Sequence, residues 1–315
     1  MEMTKLTISS SPHLRSNESV STVMRDVLIA LAPATLAAVY YFRMGAVVTI
    51  LSGLLGAILT EYIIQKAMKK PITINDYSAA ITGLLVAFNV PATAPWWLTF
   101  IGSVFAIAVV KQLFGGLGHN FMNPALAARA MLLASWPVQM TSWVKPGADA
   151  VATATPLAAL KGPEAAVATK AGLIDLFTGN VGGCVGETSA ILLIIGGVYL
   201  IYRGVITYVI PAYYIGTVAI LTFVFGGFDP QMVLYHVLAG GLIMGAFFMA
   251  TDYASSPVTP KGQIIYAVGC GVLTSVIRLW GGYPEGVSYS ILLMNVAAPL
   301  IDKYTSPKVF GEVSK

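Results

Sequence analysis

Ten apolar runs divide the chain, separated by short polar connections and by one long polar stretch at 139–183. In chain order the runs are 27–42, 45–64, 79–90, 96–110, 124–138, 190–202, 205–225, 233–250, 264–277 and 289–301. A helix needs about 20 predominantly apolar residues to cross the ~30 Å hydrocarbon core of a bilayer. The pattern therefore predicts an all-α integral membrane protein with about ten transmembrane helices.

Several of these runs are shorter than a free-standing span, and glycine and proline interrupt them. Irregular backbone at membrane depth is tolerated only where it is buried in protein or lines a cavity. We therefore expect some of the ten helices to be broken, and we expect the breaks to lie beside a cavity or a cofactor.

Composition narrows the class of protein. Of 315 residues, 57% are hydrophobic and only 10% are charged, whereas a soluble domain carries about 25% charged residues. A water-soluble enzyme is excluded. The two cysteines, Cys184 and Cys270, lie far apart and cannot supply a four-cysteine iron–sulfur or zinc site within this chain.

The placement of basic residues predicts the orientation. With the N-terminus inside, ten spans leave 13 of the 18 basic residues on the inner side and five on the outer side. Cytoplasmic loops carry the excess of Lys and Arg, so both termini are predicted to be cytoplasmic and 139–183 to be external. The inner residues are Lys5, Arg15, Arg25, Lys66, Lys69, Lys70, Lys111, Arg129, Arg203, Lys261, Lys303, Lys308 and Lys315.

A short pattern occurs twice. Lys111-Gln-Leu-Phe-Gly-Gly is followed by a Met-Asn pair, and Arg278-Leu-Trp-Gly-Gly is followed by another Met-Asn pair at a different distance. Because five runs precede the long stretch and five follow it, the pattern predicts two five-helix inverted repeats, unless the similarity is due to chance. The predicted parts are an N-terminal cytoplasmic segment, a first repeat, an external loop, a second repeat and a cytoplasmic tail, at 1–26, 27–138, 139–183, 184–302 and 303–315.

The long stretch contains the sequence Asp-Ala-Val-Ala-Thr-Ala-Thr at 149–155, followed by proline. From the residues alone, this is a flexible external turn rich in small and hydroxyl side chains. It resembles the flavinylation motif Asp-x-x-Ser/Thr-Gly-Ala-Thr of the RnfD/NqrB family of membrane redox subunits. Asp149, Ala154 and Thr155 match this motif, whereas Ala152 and Thr153 depart from it.

Four more blocks, at 76–85, 115–125, 249–262 and 281–286, resemble family blocks and occur in family order. The chain length is closer to the Rnf D subunit than to its longer quinone-reductase relative. The resemblance implies FMN joined by a flavin transferase to Thr155 through a phosphoester, with Thr153 as a minor rival. It also implies a second, non-covalent flavin (riboflavin) within the helices.

The family belongs to complexes that couple ferredoxin:NAD+ oxidoreduction to Na+ or H+ translocation. The resemblance therefore implies a subunit that is inactive alone, in the inner membrane of a prokaryote. Its partners would be the flavinylated G subunit, the membrane A and E subunits and membrane lipid, without nucleic acid. Which ion moves, and whether it passes through this subunit, stays open.

Four residues near the break at 115–124 are candidate flavin ligands. Lys111 and Arg129 either hold a flavin phosphate or anionic reduced flavin, or pair with a neighbouring acid. His119 and Asn120 offer hydrogen bonds to a ring system. The lone His236 is expected to have a structural role.

Ionisable residues inside a membrane are functional candidates because their burial is costly. Glu61 either binds an ion, or extends its carboxylate to the membrane surface, or pairs with the nearby Lys66. Asp76 and Asp252 either cap helices or give oxygen ligands to a hard cation. Arg278 and Glu285 bracket the second Gly-Gly pair and are expected to pair with each other.

Two classes of function remain besides a structural scaffold. The first is a redox subunit that carries covalent FMN in an ion-translocating complex. The second is an inverted-repeat channel or transporter for a small polar solute, with no redox role. A helical bundle does not separate the two, because fold does not fix function. The segment 149–155 does, because only the redox function requires it.

Overall fold

The computed structural model describes residues 18–144, 146, 155–160, 172–187 and 189–307. Within these residues the regular secondary structure is helical, and an isolated antiparallel bridge joins Pro91 and Cys184. The prediction of an all-α protein is confirmed for this part of the chain. Part of the predicted external loop, 145, 147–154 and 161–171, lies outside the described residues, and this part includes Asp149 and Thr153.

Twelve α-helices are present in the described part of the chain. They are α1 Val20–Ala67, α2 Ser78–Phe88, α3 Trp96–Phe105, α4 Pro124–Ser135, α5 Pro137–Met140, α6 Leu173–Thr178, α7 Ala190–Tyr202, α8 Val209–Phe225, α9 Pro230–Leu238, α10 Leu242–Met244, α11 Pro260–Trp280 and α12 Val287–Thr305. Two of them continue as π-helices, α3 into Ala106–Gln112 and α10 into Gly245–Met249.

Two helices, α1 and α11, are long and apolar enough to cross a membrane. Helix α9 meets α10 and its π-helical continuation at a bend of 64°. Counted together, these elements give a third span. Five further apolar helices of the described chain are shorter, so the predicted breaks are a prominent feature of this fold.

Helix α1 contains 48 residues and is broken at Arg43, where φ is 50° and ψ is −129°. A continuous helix of this length would extend about 72 Å, more than twice the hydrocarbon thickness. The break lies between the predicted runs 27–42 and 45–64, so the gap between those runs correctly marks the interruption.

Three helices start at a proline that directly follows a capping side chain. The side chains of Asn123, Asp229 and Thr259 accept backbone N–H bonds of 3.0, 2.9 and 3.0 Å in the first turns of α4, α9 and α11. Proline suits the first helical position because its missing N–H would have no partner there. These pairs fix where the broken helices begin, and thus where the cavities between them lie.

Buried residues of α1, α2, α4, α7, α8, α10, α11 and α12 belong to one core cluster. Helices from before and after the long polar stretch therefore share a core. Close packing depends on small residues: Gly53 of α1 faces Gly83 of α2, and an added Cβ at either position would lie 2.5–2.6 Å from the other glycine's carbonyl oxygen.

We expect Gly83→Ala to destabilise the protein, because the new methyl would overlap Gly53 O and the Ala57 side chain. Overpacking of this kind costs about 1–3 kcal/mol. Thermal unfolding in detergent should give a lower midpoint than the wild type. Gly216→Ala in α8 is the matched control, since no atom lies within 4 Å of its added Cβ. An unchanged midpoint for Gly83→Ala would contradict this packing.

Candidate functional site

A buried ion pair joins two residues that the sequence marked separately. Lys111 Nζ lies 2.9 Å from Glu61 Oε1 and 3.1 Å from Glu61 Oε2, and the two side chains are 2% and 1% exposed. Lys111 Nζ also donates to Ser78 Oγ at 2.6 Å. The amides of Gln112 and Gln65 donate to Glu61 Oε1 at 2.8 and 3.2 Å. The pair thus connects α1, the start of α2 and the π-helix that follows α3.

Of the alternatives for Glu61, pairing with Lys66 is not observed, because the partner is Lys111. Residues three or four apart share a helix face, but residues five apart do not. Lys66 instead lies on the exposed side of α1, with its Nζ 5.6 Å from the ring centroid of Tyr62. Two alternatives were open for Lys111, flavin binding and pairing with a neighbouring acid. The structure shows Lys111 paired with an acid.

Asp76 acts at the start of α2. Its Oδ1 accepts from Ser78 N at 2.8 Å and from Ser78 Oγ at 2.5 Å. The N-cap residue of α2 is Tyr77, which makes no side-chain cap bond, so Asp76 closes a turn just before the helix. Because Ser78 Oγ also accepts from Lys111, this turn is connected to the buried ion pair.

Asn120 and Asp252 meet across a long separation in sequence. Asn120 Nδ2 donates to Asp252 Oδ2 at 3.1 Å, and Ser255 Oγ donates to the same oxygen at 2.9 Å. The Asp252 side chain therefore stabilises a contact between two loops and does not cap a helix. His119 is exposed, and its Nδ1 lies 3.3 Å from Leu117 O.

The Lys111 cavity, as we name it, has a volume of about 110 Å³. Its polar and charged lining residues include Ser78, Lys111, Asn120, Asn123 and Asp252. Most of the other lining residues are apolar, including Leu85, Ile206, Phe247 and Phe248. A mostly apolar cavity with a few polar groups is the common form of a small-molecule site.

Arg129 lies away from Lys111, in the middle of α4. Its Nη1 donates to Asn89 Oδ1 at 3.0 Å, and its Nη2 pairs with the Glu285 carboxylate. A second acid, Glu187, has its Oε1 3.8 Å from Arg129 Nη1. Pairing with an acid is thus observed for Arg129 too, with partners far along the chain.

The expected side-chain pairing of Arg278 with Glu285 is wrong. Arg278 Nε donates to the backbone oxygen of Glu285 at 2.9 Å, while the Glu285 carboxylate binds Arg129 and accepts from Gly241 N at 3.3 Å. Arg278 also donates to the carbonyl oxygen of His236. Arg278 thus donates hydrogen bonds to carbonyl oxygens near the end of α9 and in the loop before α12.

The Thr155 cavity, our second named cavity, has a volume of about 90 Å³. Thr155 is 5% exposed, and its Oγ1 accepts from Ala158 N at 3.1 Å. The structure places Thr155 and Arg129 on the same cavity. Three aromatic residues, Trp143, Tyr283 and Tyr289, also line it.

Helix α4 connects the two cavities. Ala125 lines the Lys111 cavity and Arg129 lines the Thr155 cavity. These residues are four positions apart, which corresponds to about 6 Å along a helix axis. The two candidate cofactor sites are therefore close, and one rigid element fixes their separation.

Sequence reasoning did not single out Asn89 or Glu187. Asn89 lies at the end of an apolar run and Glu187 lies just before one. Polar residues beside apolar runs are a usable signal, but they are also typical of ordinary helix ends. Only their contacts with Arg129 in the structure distinguish these two residues from polar residues at ordinary helix ends.

Comparisons with known proteins identify the family of this chain. The model of the NQR2, RnfD, RnfE family matches residues 7–311. The chain is 56% identical over 314 residues to the D subunit of the Na(+)-translocating ferredoxin:NAD(+) oxidoreductase complex of Acetobacterium woodii, covering 99% of this chain and 97% of that relative.

Two further relatives have related names. The D subunit of the proton-translocating ferredoxin:NAD(+) oxidoreductase complex of Clostridium ljungdahlii is 52% identical, covering 97% of this chain and 96% of the relative. The D subunit of the ion-translocating oxidoreductase complex of Halorhodospira halophila is 38% identical, covering 95% and 94%. From the near full-length match and these identities, the chain belongs to the NQR2, RnfD, RnfE family.

Proposed function

We propose that this chain is the D-type membrane subunit of an ion-translocating ferredoxin:NAD+ oxidoreductase complex, and that it transfers electrons through FMN carried on Thr155. The names of relatives that match nearly the whole chain support the first part. One observation carries the second part: Thr155 lies on the wall of a cavity that also contains a guanidinium group and three aromatic rings.

The residues of the Thr155 cavity fit a tethered flavin. The Thr155 hydroxyl supplies the ester oxygen, and Arg129 supplies positive charge within the same cavity. Tyr283 and Tyr289, with ring centroids 5.4 Å apart, offer apolar faces to a ring system. Tyr283 is 55% exposed, so the cavity opens to the surface, where a redox partner has access.

The cavity is small for a flavin. About 90 Å³ is well below the ~300–1,000 Å³ typical of ligand pockets. A ring system joined to Thr155 would therefore extend beyond the cavity or move the side chains that line it. Flavins supply one- and two-electron transfer, and this chain would supply attachment, charge and orientation.

The Lys111 cavity is our proposed site for the second, non-covalent flavin (riboflavin). Its apolar walls fit a flat ring, and Asn120, Asn123 and Lys111 provide hydrogen-bonding groups. At about 110 Å³, it too would have to widen to admit a flavin. The proximity of the two cavities along α4 supports electron transfer between their occupants.

The proposal includes the predicted membrane arrangement. Two five-helix inverted repeats with about ten spans, several of them broken, would lie in the inner membrane with both termini cytoplasmic. The G, A and E subunits and a flavin transferase are the proposed partners. Relatives with 56% and 52% identity are named for Na+ and for protons respectively. Similar identity to relatives named for different ions therefore does not assign the ion that this complex moves.

The attachment site is tested by covalent flavin fluorescence. The chain is co-expressed with a flavin transferase, denatured, and separated on a gel under ultraviolet light. We expect Thr155→Ala to abolish the fluorescent band, because it removes the ester oxygen. Thr153→Ala is the matched control and should keep the band. Fluorescence that survives Thr155→Ala would overturn the assignment, and a wild-type chain without fluorescence would favour the channel or transporter function.

The second flavin is tested by extraction from Thr155→Ala protein, which cannot retain covalent FMN at this site. We expect Asn120→Leu to lower the riboflavin released per chain more than twofold, because it removes the amide from the cavity wall. His119→Ala is the control, since this neighbour is exposed and does not line the cavity. Equal riboflavin in both variants, at unchanged thermal midpoints, would exclude this cavity as the site.

A further inference from the structure

The residue that follows Thr155 is bonded to helix α9. The Tyr235 hydroxyl donates to Pro156 O at 3.0 Å, across a separation of 79 positions in sequence. The bond is buried, and Tyr235 itself is 6% exposed, so water competes little for either group. The backbone next to Thr155 is therefore fixed to a helix from the part of the chain that follows the long polar stretch.

Leu157 is a second anchor of the same segment. Its side chain is 3% exposed and belongs to a small apolar cluster with Leu176 and Tyr235. It also covers the bend between α9 and α10, since a Cβ added at Gly240 would lie 2.8 Å from Leu157 Cδ1. Burial of this side chain favours the docked position, because the released leucine would face water. We name residues 155–160 the Thr155 segment, and Tyr235 and Leu157 its two anchors.

The reaction that loads Thr155 requires its hydroxyl to meet several groups at once. FMN becomes esterified when the hydroxyl oxygen attacks the FMN phosphate in a donor that carries a leaving group, such as FAD. The P–O bond to Thr155 forms, the P–O bond to AMP breaks, AMP leaves, and the hydroxyl proton passes to a base of the transferase. The hydroxyl must therefore enter the active site of a second protein.

The docked position does not allow this. Thr155 is 5% exposed, and its Oγ1 accepts a hydrogen bond from Ala158 N at 3.1 Å. The cavity beside it has a volume of about 90 Å³, whereas the pocket of a small ligand alone typically has ~300–1,000 Å³. A dinucleotide donor and the catalytic groups of a transferase cannot assemble in this space. Thr155 therefore reacts only when the segment leaves its docked position.

We infer that release of the Thr155 segment is the step that admits the flavin transferase, and that Tyr235 controls how often release occurs. Release breaks the bond from Tyr235 to Pro156 O and withdraws Leu157 from its cluster. Both anchors re-form after esterification, because neither uses the Thr155 hydroxyl. Redocking then returns the modified threonine to the cavity that contains Arg129. The inference rests on the proposed attachment of FMN to Thr155.

The first test is the initial rate of flavin attachment to the purified, flavin-free chain, with the transferase and FAD. We expect Tyr235→Phe to raise this rate roughly three- to tenfold, because loss of one net hydrogen bond shifts the release equilibrium by about that factor. This variant leaves the sequence around Thr155 unchanged for the transferase. Tyr199→Phe is the matched control: it removes a tyrosine hydroxyl that donates to Asp26, and it should react at the wild-type rate.

Hydrogen exchange measures release directly. The backbone N–H groups of Ala158, Ala159 and Leu160 all donate within the Thr155 segment. A single 3-10 turn does not persist by itself in water, so these N–H groups exchange when the segment is released. Their exchange in Tyr235→Phe should accelerate by the same factor as flavin attachment. Exchange in α1 should match the wild type, whereas a general loss of stability would accelerate both.

Equal attachment rates for the wild type and Tyr235→Phe would overturn the inference. Faster attachment without faster exchange at 158–160 would also overturn it, as would an equal acceleration in Tyr199→Phe. If Tyr235→Phe does not fold, Leu157→Ala removes the apolar anchor instead and should give both increases; wild-type values in it would overturn the inference. A wild-type chain that carries no covalent flavin after co-expression with the transferase would instead refute the proposed function, so the two failures are distinguishable.

Discussion

Arg129 donates to the Asn89 amide oxygen with one terminal nitrogen and to the Glu285 carboxylate with the other. One buried guanidinium thereby joins the end of α2, the middle of α4 and the loop before α12. Removing one partner of such a pair leaves an uncompensated buried charge, at a cost of about 3–5 kcal/mol. The Thr155 cavity, the nearby carboxyls of Glu285 and Glu187 and the contact between the two parts of the chain all depend on this side chain.

The two basic residues of the repeated sequence pattern have different partners. Lys111 binds the Glu61 carboxylate, whereas Arg278 binds backbone carbonyl oxygens around a helix break. Each choice follows from the donor geometry, because an ammonium is a compact charge and a guanidinium is a fork with five N–H groups. If the two parts are inverted repeats, as predicted, the basic residue occupies the same position in both repeats but binds different groups.

Local features of the fold were predictable from sequence, but long-range partners were not. The run at 190–202 coincides with α7, the run at 124–138 begins with α4 at Pro124, and the gap at Arg43 marks the break in α1. The run at 233–250 was expected to be one span, but it contains a bend where Gly240 has a φ of 70°. Apolar patterning marks Glu61 and Arg129 as buried charges. It does not reveal that their partners, Lys111 and Glu285, lie 50 and 156 positions away.

The start of α4 has an electrostatic consequence for the Lys111 cavity. Pro124 and Ala125 line this cavity, so the amino end of the helix macrodipole is directed at it, with a partial positive charge of roughly half a unit. The cap of α4 is the neutral Asn123, which leaves this potential in place, whereas Glu61 neutralises Lys111. The peptide dipoles of α4 therefore add positive potential to a cavity whose lining also includes the acidic Asp252. Such a contribution survives replacement of the lysine, and it would make any bound redox group easier to reduce.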